Sequence, residues 1–113
     1  MKNPATVARE RITTMKGENM IKTHSLKIRE EYADAVLSGD KTFEVRYNDR
    51  GYQKGDEIVF NVLTDYGYDE HHELSKKRYQ ITYVLSHFGL QDNYVVLAIK
   101  ECKSRIKNRK DGE

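Results

Sequence analysis

The chain has 113 residues, with 20 Lys and Arg against 18 Asp and Glu, one Cys, one Pro, seven Gly and no Trp, which fits one small domain and excludes two full ones. A chain of this length buries only about 60–65% of the surface its unfolded form exposes, so it builds one modest core with little interior for a haem or dinucleotide, and no cofactor is expected. A single cysteine makes no internal disulfide, and the absence of an apolar leader or of any apolar run of about 18 residues points to the cytoplasm and away from membranes.

Charge is unevenly spread. Residues 1–20 carry four basic and two acidic groups and residues 102–113 carry five and two, which leaves 11 basic and 14 acidic groups for residues 21–101. The central stretch is mildly acidic, so binding of a polyanion has to rest on a local cluster or on the ends. Residues 1–20 hold few large apolar groups and are expected to form an N-terminal arm, with one short helix from about Ala5 to Lys16. Residues 21–101 are expected to form the folded domain. Residues 102–113 alternate basic and polar groups as a solvated tail does.

Within the domain the hydrophobic period changes in a readable order. His24 to Ile28 alternates as a short strand, with Leu26 and Ile28 facing one way. Glu30 to Ser38 places Tyr32, Ala33, Val36 and Leu37 on one helical stripe, with Glu30 and Glu31 where the helix dipole favours negative charge and Gly39 where a left-handed residue ends the helix. Lys41 to Tyr47 alternates again, Phe43 and Val45 on one face and Thr42, Glu44 and Arg46 on the other. Turn signals follow at Asn48 to Gly51 and at Lys54 to Asp56. Strands are then expected over Glu57 to Thr64, Arg78 to Leu85, with Tyr79 and Tyr83 as core positions, and Tyr94 to Lys100. The segment 65–73 is polar, aromatic and acidic, and reads as a loop or a hairpin tip. This order, β-α-β-β-β-β, describes a mainly β protein of the α+β class with one or two helices. It suits a small curved sheet or β-barrel plugged by its helix, since a parallel α/β fold would need repeated helical crossovers.

The segment from Gly39 to Arg46 holds the strongest chemical signal. A helix stop runs into a strand whose one face offers a hydroxyl, a carboxylate and a guanidinium about 6–7 Å apart at the usual strand rise. Lys41 leans over the same rim. An Arg and a Lys framing a Glu can grip a phosphate or a base edge, the carboxylate accepting from an exocyclic amine or holding the Arg fork. The plainer alternative is a solvated strand face with a weak Glu-Arg pair. Tyrosines 47, 52, 66 and 68 lie in or beside turns, and those near Arg46 and Arg50 can stack on bases or cover a barrel edge. His71 and His72 with Asp69, Glu70 and Glu73 do not make a metal site, because adjacent residues of an extended chain point to opposite faces. His24 and His87 read as structural or rim residues.

Gly39-Asp40-Lys41-Thr42-Phe43-Glu44-Val45-Arg46 resembles the GxKxxExR signature of ASCH domains (activating signal cointegrator homology), a branch of the PUA-like superfamily, and in particular its small bacterial and phage members. The likeness extends over residues 24–100, through His24–Ile28, Tyr32–Gly39, Asn48–Arg50 with Tyr52–Asp56, and Gly89-Leu90 with Tyr94–Ile99. It implies a PUA-like barrel whose cleft binds RNA or a modified nucleotide. Lys41, Glu44 and Arg46 then carry the signature, with Thr42 beside them and Arg50 and the basic tail on phosphate.

Some ASCH-like proteins are amidohydrolases of acetylated cytidine that use a Lys, a Thr and a Glu. Here Glu44 stands where their Thr would be, and Thr42 lies about 6–7 Å away along the strand, too far for an activated hydroxyl in that role. The expectation is therefore a non-catalytic RNA- or nucleotide-binding module. Its alternatives are a hydrolase using Lys41 and Glu44 in the same cleft, a ribonuclease or a modified-nucleoside amidohydrolase, and a protein-interaction scaffold that engages a basic partner through the acidic 65–73 loop.

Overall fold

The computed structural model describes residues 13–16 and 19–103. Strands form where apolar and polar residues alternate, and most of them send their apolar set to one common side. In chain order the elements are β1 (Thr13–Lys16), β2 (Asn19–Arg29), α1 (Glu30–Ser38), β3 (Phe43–Tyr47), β4 (Glu57–Thr64), β5 (Gly67–Tyr68), a 3-10 turn (Glu73–Lys76), β6 (Arg78–Leu85) and β7 (Tyr94–Glu101). The protein is mainly β with one α-helix among the described residues. Its sheet runs β1-β2-β4-β6-β7-β3, with β5 added on β4. The β2–β4 pair is parallel and the others are antiparallel.

The core lies on one face of this curved sheet. Leu26 and Ile28 from β2, Ile58, Phe60 and Val62 from β4, Tyr79 and Ile81 from β6, and Val95, Leu97 and Ile99 from β7 are all buried there. Ala33 and Val36 of α1 and Leu74 of the 3-10 turn complete it. The helix stops at Gly39, whose φ of 91° is the left-handed geometry that glycine adopts without a Cβ penalty, and its N–H returns to the Val36 carbonyl at 3.1 Å.

Three expectations need correction. The C-terminal part of the expected Ala5–Lys16 helix is instead β1, which pairs antiparallel with Asn19–Lys22; the rest of that helix lies outside the described residues, as does the tail from Ser104. Tyr83 is not a core residue. Ile81 faces Ile99 while Tyr83 faces Ala98, so Thr82 is an extra residue, a β-bulge, and beyond it the parity of β6 inverts. Tyr83 is thereby turned outward, 61% exposed, and Val84 packs on the core in its place. Tyr52 is not an exposed turn residue either: it is buried and packs at 4.7 Å between ring centroids on His24.

That contact belongs to a buried polar knot. His24 Nε2 and Asp56 Oδ2 lie 2.9 Å apart, and Asp56 also accepts from the backbone N–H groups of Gln53 at 3.0 Å and Lys22 at 3.3 Å. The carboxylate thus ties the turn before β4 to β2, the strand that pairs with β4.

Burial holds the Tyr52 phenol above the ordinary tyrosine value of about 10, against the opposing pull of Arg50 and Arg46; burial does the same for Tyr79, with Glu101 adding to it. The folded state keeps these protons more tightly than the unfolded chain, so their contribution is whole below a pH of about 10 and is lost as pH rises through the raised folded values. Denaturant melts across this range should show the Y52F/Y79F double variant losing less stability above a pH of about 10 than the parent. Parallel curves for the two proteins would contradict the assignment.

Candidate functional site

The helix stop positions the first site residue. After Gly39 the chain turns so that the Lys41 N–H bonds to the Ala35 carbonyl at 3.0 Å, which holds the bend against the helix that precedes it. β3 then enters the sheet edge beside β7, with Glu44 opposite Leu97 and Arg46 opposite Val95. Leu97 and Val95 face the core, so the polar side of β3 faces inward. Its apolar side, Phe43, Val45 and Tyr47, faces out and is about half exposed.

Glu44 is consequently a buried carboxylate, only 4% exposed. Lys41 Nζ donates to its Oε2 at 2.6 Å, and Arg46 donates to its Oε1 from Nε at 3.1 Å and from Nη2 at 3.0 Å. Removing a carboxylate from water is expensive, and it is tolerated here because both oxygens receive charge-assisted hydrogen bonds. The cations are themselves held. Lys41 Nζ also donates to the Phe43 carbonyl at 2.7 Å and lies 5.0 Å from the Phe43 ring centre and 5.9 Å from that of Tyr32.

Arg46 links the two rims of the sheet. Its Nη2 donates to the Lys27 carbonyl of β2 at 2.7 Å, and Arg50 Nη1 donates to the Ser25 carbonyl at 3.2 Å. Strands β2 and β3 stand toward opposite ends of the strand order. Curvature brings them together, and side chains rather than a backbone ladder bridge them. Between them is an open cleft of about 530 Å³, with Lys41, Glu44 and Arg46 at its floor, Lys27, Ile28 and Arg29 on the β2 side, Val45, Tyr47 and Tyr94 on the other, and Tyr32 of α1 at the end.

Of the residues singled out from the sequence, Lys41, Glu44 and Arg46 come together in this cleft. Thr42 does not: its side chain is exposed beside β3, it is absent from the lining, and its carbonyl accepts from the Ile99 N–H at 3.0 Å. Arg50 lies outside the lining and braces the same β2 edge. The 65–73 segment opens with a short hairpin, Thr64 opposite Gly67, with Tyr66 fully exposed at its tip, and then turns into the 3-10 element at Glu73. His72 caps the 3-10 turn by accepting from the Leu74 N–H at 3.1 Å and reaches Asp34 of α1 at 2.8 Å. Among the described residues no three His, Cys, Asp or Glu side chains are grouped as a metal would need.

Sequence reasoning missed Lys27, Arg29, Tyr32 and Tyr94. The signal for the first two is the parity of β2, which sends them opposite to Leu26 and Ile28. Only the strand order reveals that this outward row ends beside β3.

Residues 23–99 match the model of the family described as a domain of unknown function, DUF3850, and the chain belongs to that family. It is 40% identical over 42 residues to an uncharacterized 12.9 kDa protein in the GpA 3′ region of Escherichia phage P2. That match takes in 37% of this chain and 38% of the phage protein's length. Among solved structures, the crystal structure of hypothetical protein PH0355 is similar at a TM-score of 0.47 and 18% identity, over 71% of this chain and 99% of that one.

Replacing Glu44 by Ala leaves two cations crowded together without their carboxylate. The expected cost is about 1–3 kcal/mol, the range for losing charged hydrogen bonds, which in a domain of this size lowers the thermal midpoint by several degrees. Calorimetry on Glu44→Ala checks this; an unchanged midpoint would mean that the trio adds nothing to stability.

Proposed function

We propose that the cleft between β2 and β3 binds RNA or a nucleotide, and that the domain is a PUA-like module of the ASCH type. One observation carries the reading. Lys27, Arg29, Lys41 and Arg46 line one cleft whose lining holds a single carboxylate, Glu44, with Tyr32, Tyr47 and Tyr94 alongside, in a domain whose residues 21–101 are acidic overall. A stability requirement explains Lys41 and Arg46, which neutralise Glu44. It does not explain the outward Lys27 and Arg29 on the same opening, and this local excess of positive charge is what a phosphate group needs. Tyrosines next to cations supply stacking surfaces for a base.

In this reading Glu44 orients the fork of Arg46, whose bonds to Glu44 and Lys27 use Nε and Nη2 and leave Nη1 out. Binding is favoured over hydrolysis by Lys41 and Glu44. A general base needs an oxygen within reach of the substrate proton, and both oxygens of Glu44 already accept hydrogen bonds from Lys41 and Arg46. The hydroxyl of Thr42 stands outside the cleft and supplies no nucleophile there.

Fluorescence anisotropy with short labelled RNA oligonucleotides tests the proposal. Affinity should be modest and fall with salt at a log-log slope of about −2 to −3, as expected for three or four phosphates on a single strand. A Lys27→Ala/Arg29→Ala double variant, which removes no bond made by those side chains to Glu44, should flatten that slope, and Arg46→Ala should weaken binding about 10-fold or more. Absence of binding at low salt, or affinity indifferent to all three substitutions, rejects the reading.

A further inference from the structure

The outward face of β3, β7 and β6 forms a continuous apolar surface next to the cleft. The registers arrange it in rows: Phe43, Ala98 and Tyr83; Val45, Val96 and Leu85; and Tyr47 with Tyr94. Phe43, Val45, Tyr47 and Tyr83 are each 42% exposed or more. The Tyr47 and Tyr94 rings meet edge to face at 5.4 Å. Two departures from ordinary strand behaviour build this surface. β3 is turned inside out by Glu44, and the bulge at Thr82 swings Tyr83 and Leu85 outward to extend the rows.

None of these positions carries an acid, and the next outward residue on β7 is the exposed Lys100. Lys41 stands over the ring of Phe43 at one margin. Val45, Tyr47 and Tyr94 belong both to this face and to the wall of the cleft, so the aromatic surface runs without a break into the cluster of cations.

We propose that this face is a stacking platform for successive unpaired bases of a single-stranded RNA whose phosphates the cleft cations hold. The inference rests on the cleft reading and extends it from one nucleotide to a strand. The occupant has to combine negative charge with flat apolar faces repeated along its length, and a single strand of nucleic acid does both. Exposed aromatics on a sheet face are an established means of stacking two or three bases. The dimensions agree: Phe43 and Tyr47 are about 13 Å apart along the strand, and Tyr83 lies two strand spacings, about 10 Å, from β3.

The test compares adenylate oligomers of about two and about eight nucleotides on the full chain, lengths chosen to fill the cleft alone or the cleft and the platform. The longer oligomer should bind more tightly and quench tyrosine fluorescence, which reports directly because the chain has no Trp. Tyr83→Ser should lower affinity for the longer oligomer about 5- to 100-fold while leaving the shorter one unchanged, and Phe43→Ser should also weaken the longer. The Lys27→Ala/Arg29→Ala variant should weaken both. If the longer oligomer binds Tyr83→Ser and Phe43→Ser as it binds the parent, yet is lost by the cleft variant, the platform is refuted and the cleft reading stands. Failure of the parent to bind either length refutes both. Sedimentation completes the comparison: a parental dimer dissociated by Tyr83→Ser, with RNA binding unaltered, assigns the face to a second copy of the chain and overturns the proposal.

Discussion

The buried carboxylate of Glu44, held between Lys41 and Arg46, is the constraint on which the rest of the structure turns. A carboxylate on the core side of a sheet is tolerated where cations reach both its oxygens, and Lys41 and Arg46 do so with β3 in its observed orientation. Inverting β3 sends Phe43, Val45 and Tyr47 outward. It also places Arg46 where its fork meets β2. The exposed aromatic surface, the cleft and the approach of the two sheet edges all accompany this one ionic arrangement.

That arrangement also explains how the sheet closes. An exposed strand edge offers unpaired carbonyls to any chain that can add to it. Here Arg46 and Arg50 donate to carbonyls of Lys27 and Ser25. A ladder between β2 and β3 would have sealed the gap with backbone, whereas here arginine side chains reach the β2 carbonyls and an open cleft remains. In the middle of β2, the His24–Asp56 pair performs the purely structural counterpart, using a buried acid to hold a turn rather than to frame an opening.

The distribution of charge gives this opening its meaning. The domain has no general positive field, yet Lys27 and Arg29 from β2 and Lys41 and Arg46 from the bend and β3 line one cleft. Two of the four are accounted for by Glu44. The other two are not among the partners of Glu44, Arg29 also bordering a neighbouring pocket with Glu30, Glu31, Asp34 and Asp65, and cations beside tyrosine rings are the physical basis for the proposed nucleotide chemistry.

Local pattern alone determined a good deal. The alternation in β2, β4, β6 and β7, the short amphipathic helix and its glycine stop, and the grouping of Lys41, Glu44 and Arg46 were legible because each depends on residues within a few positions of one another. Thr42 was misplaced in the site because its parity matched Glu44 while the strand begins only at Phe43. Tyr83 was misassigned because one extra residue at Thr82 reverses every side chain after it, and the sequence carries no mark of that insertion. Which face of β3 turns inward, and the arrival of Lys27 and Arg29 beside it, were decided by the tertiary structure. They depend on pairing between strands far apart in the chain, where burial energy and the neutralisation of a charge outweigh any preference that neighbouring residues express.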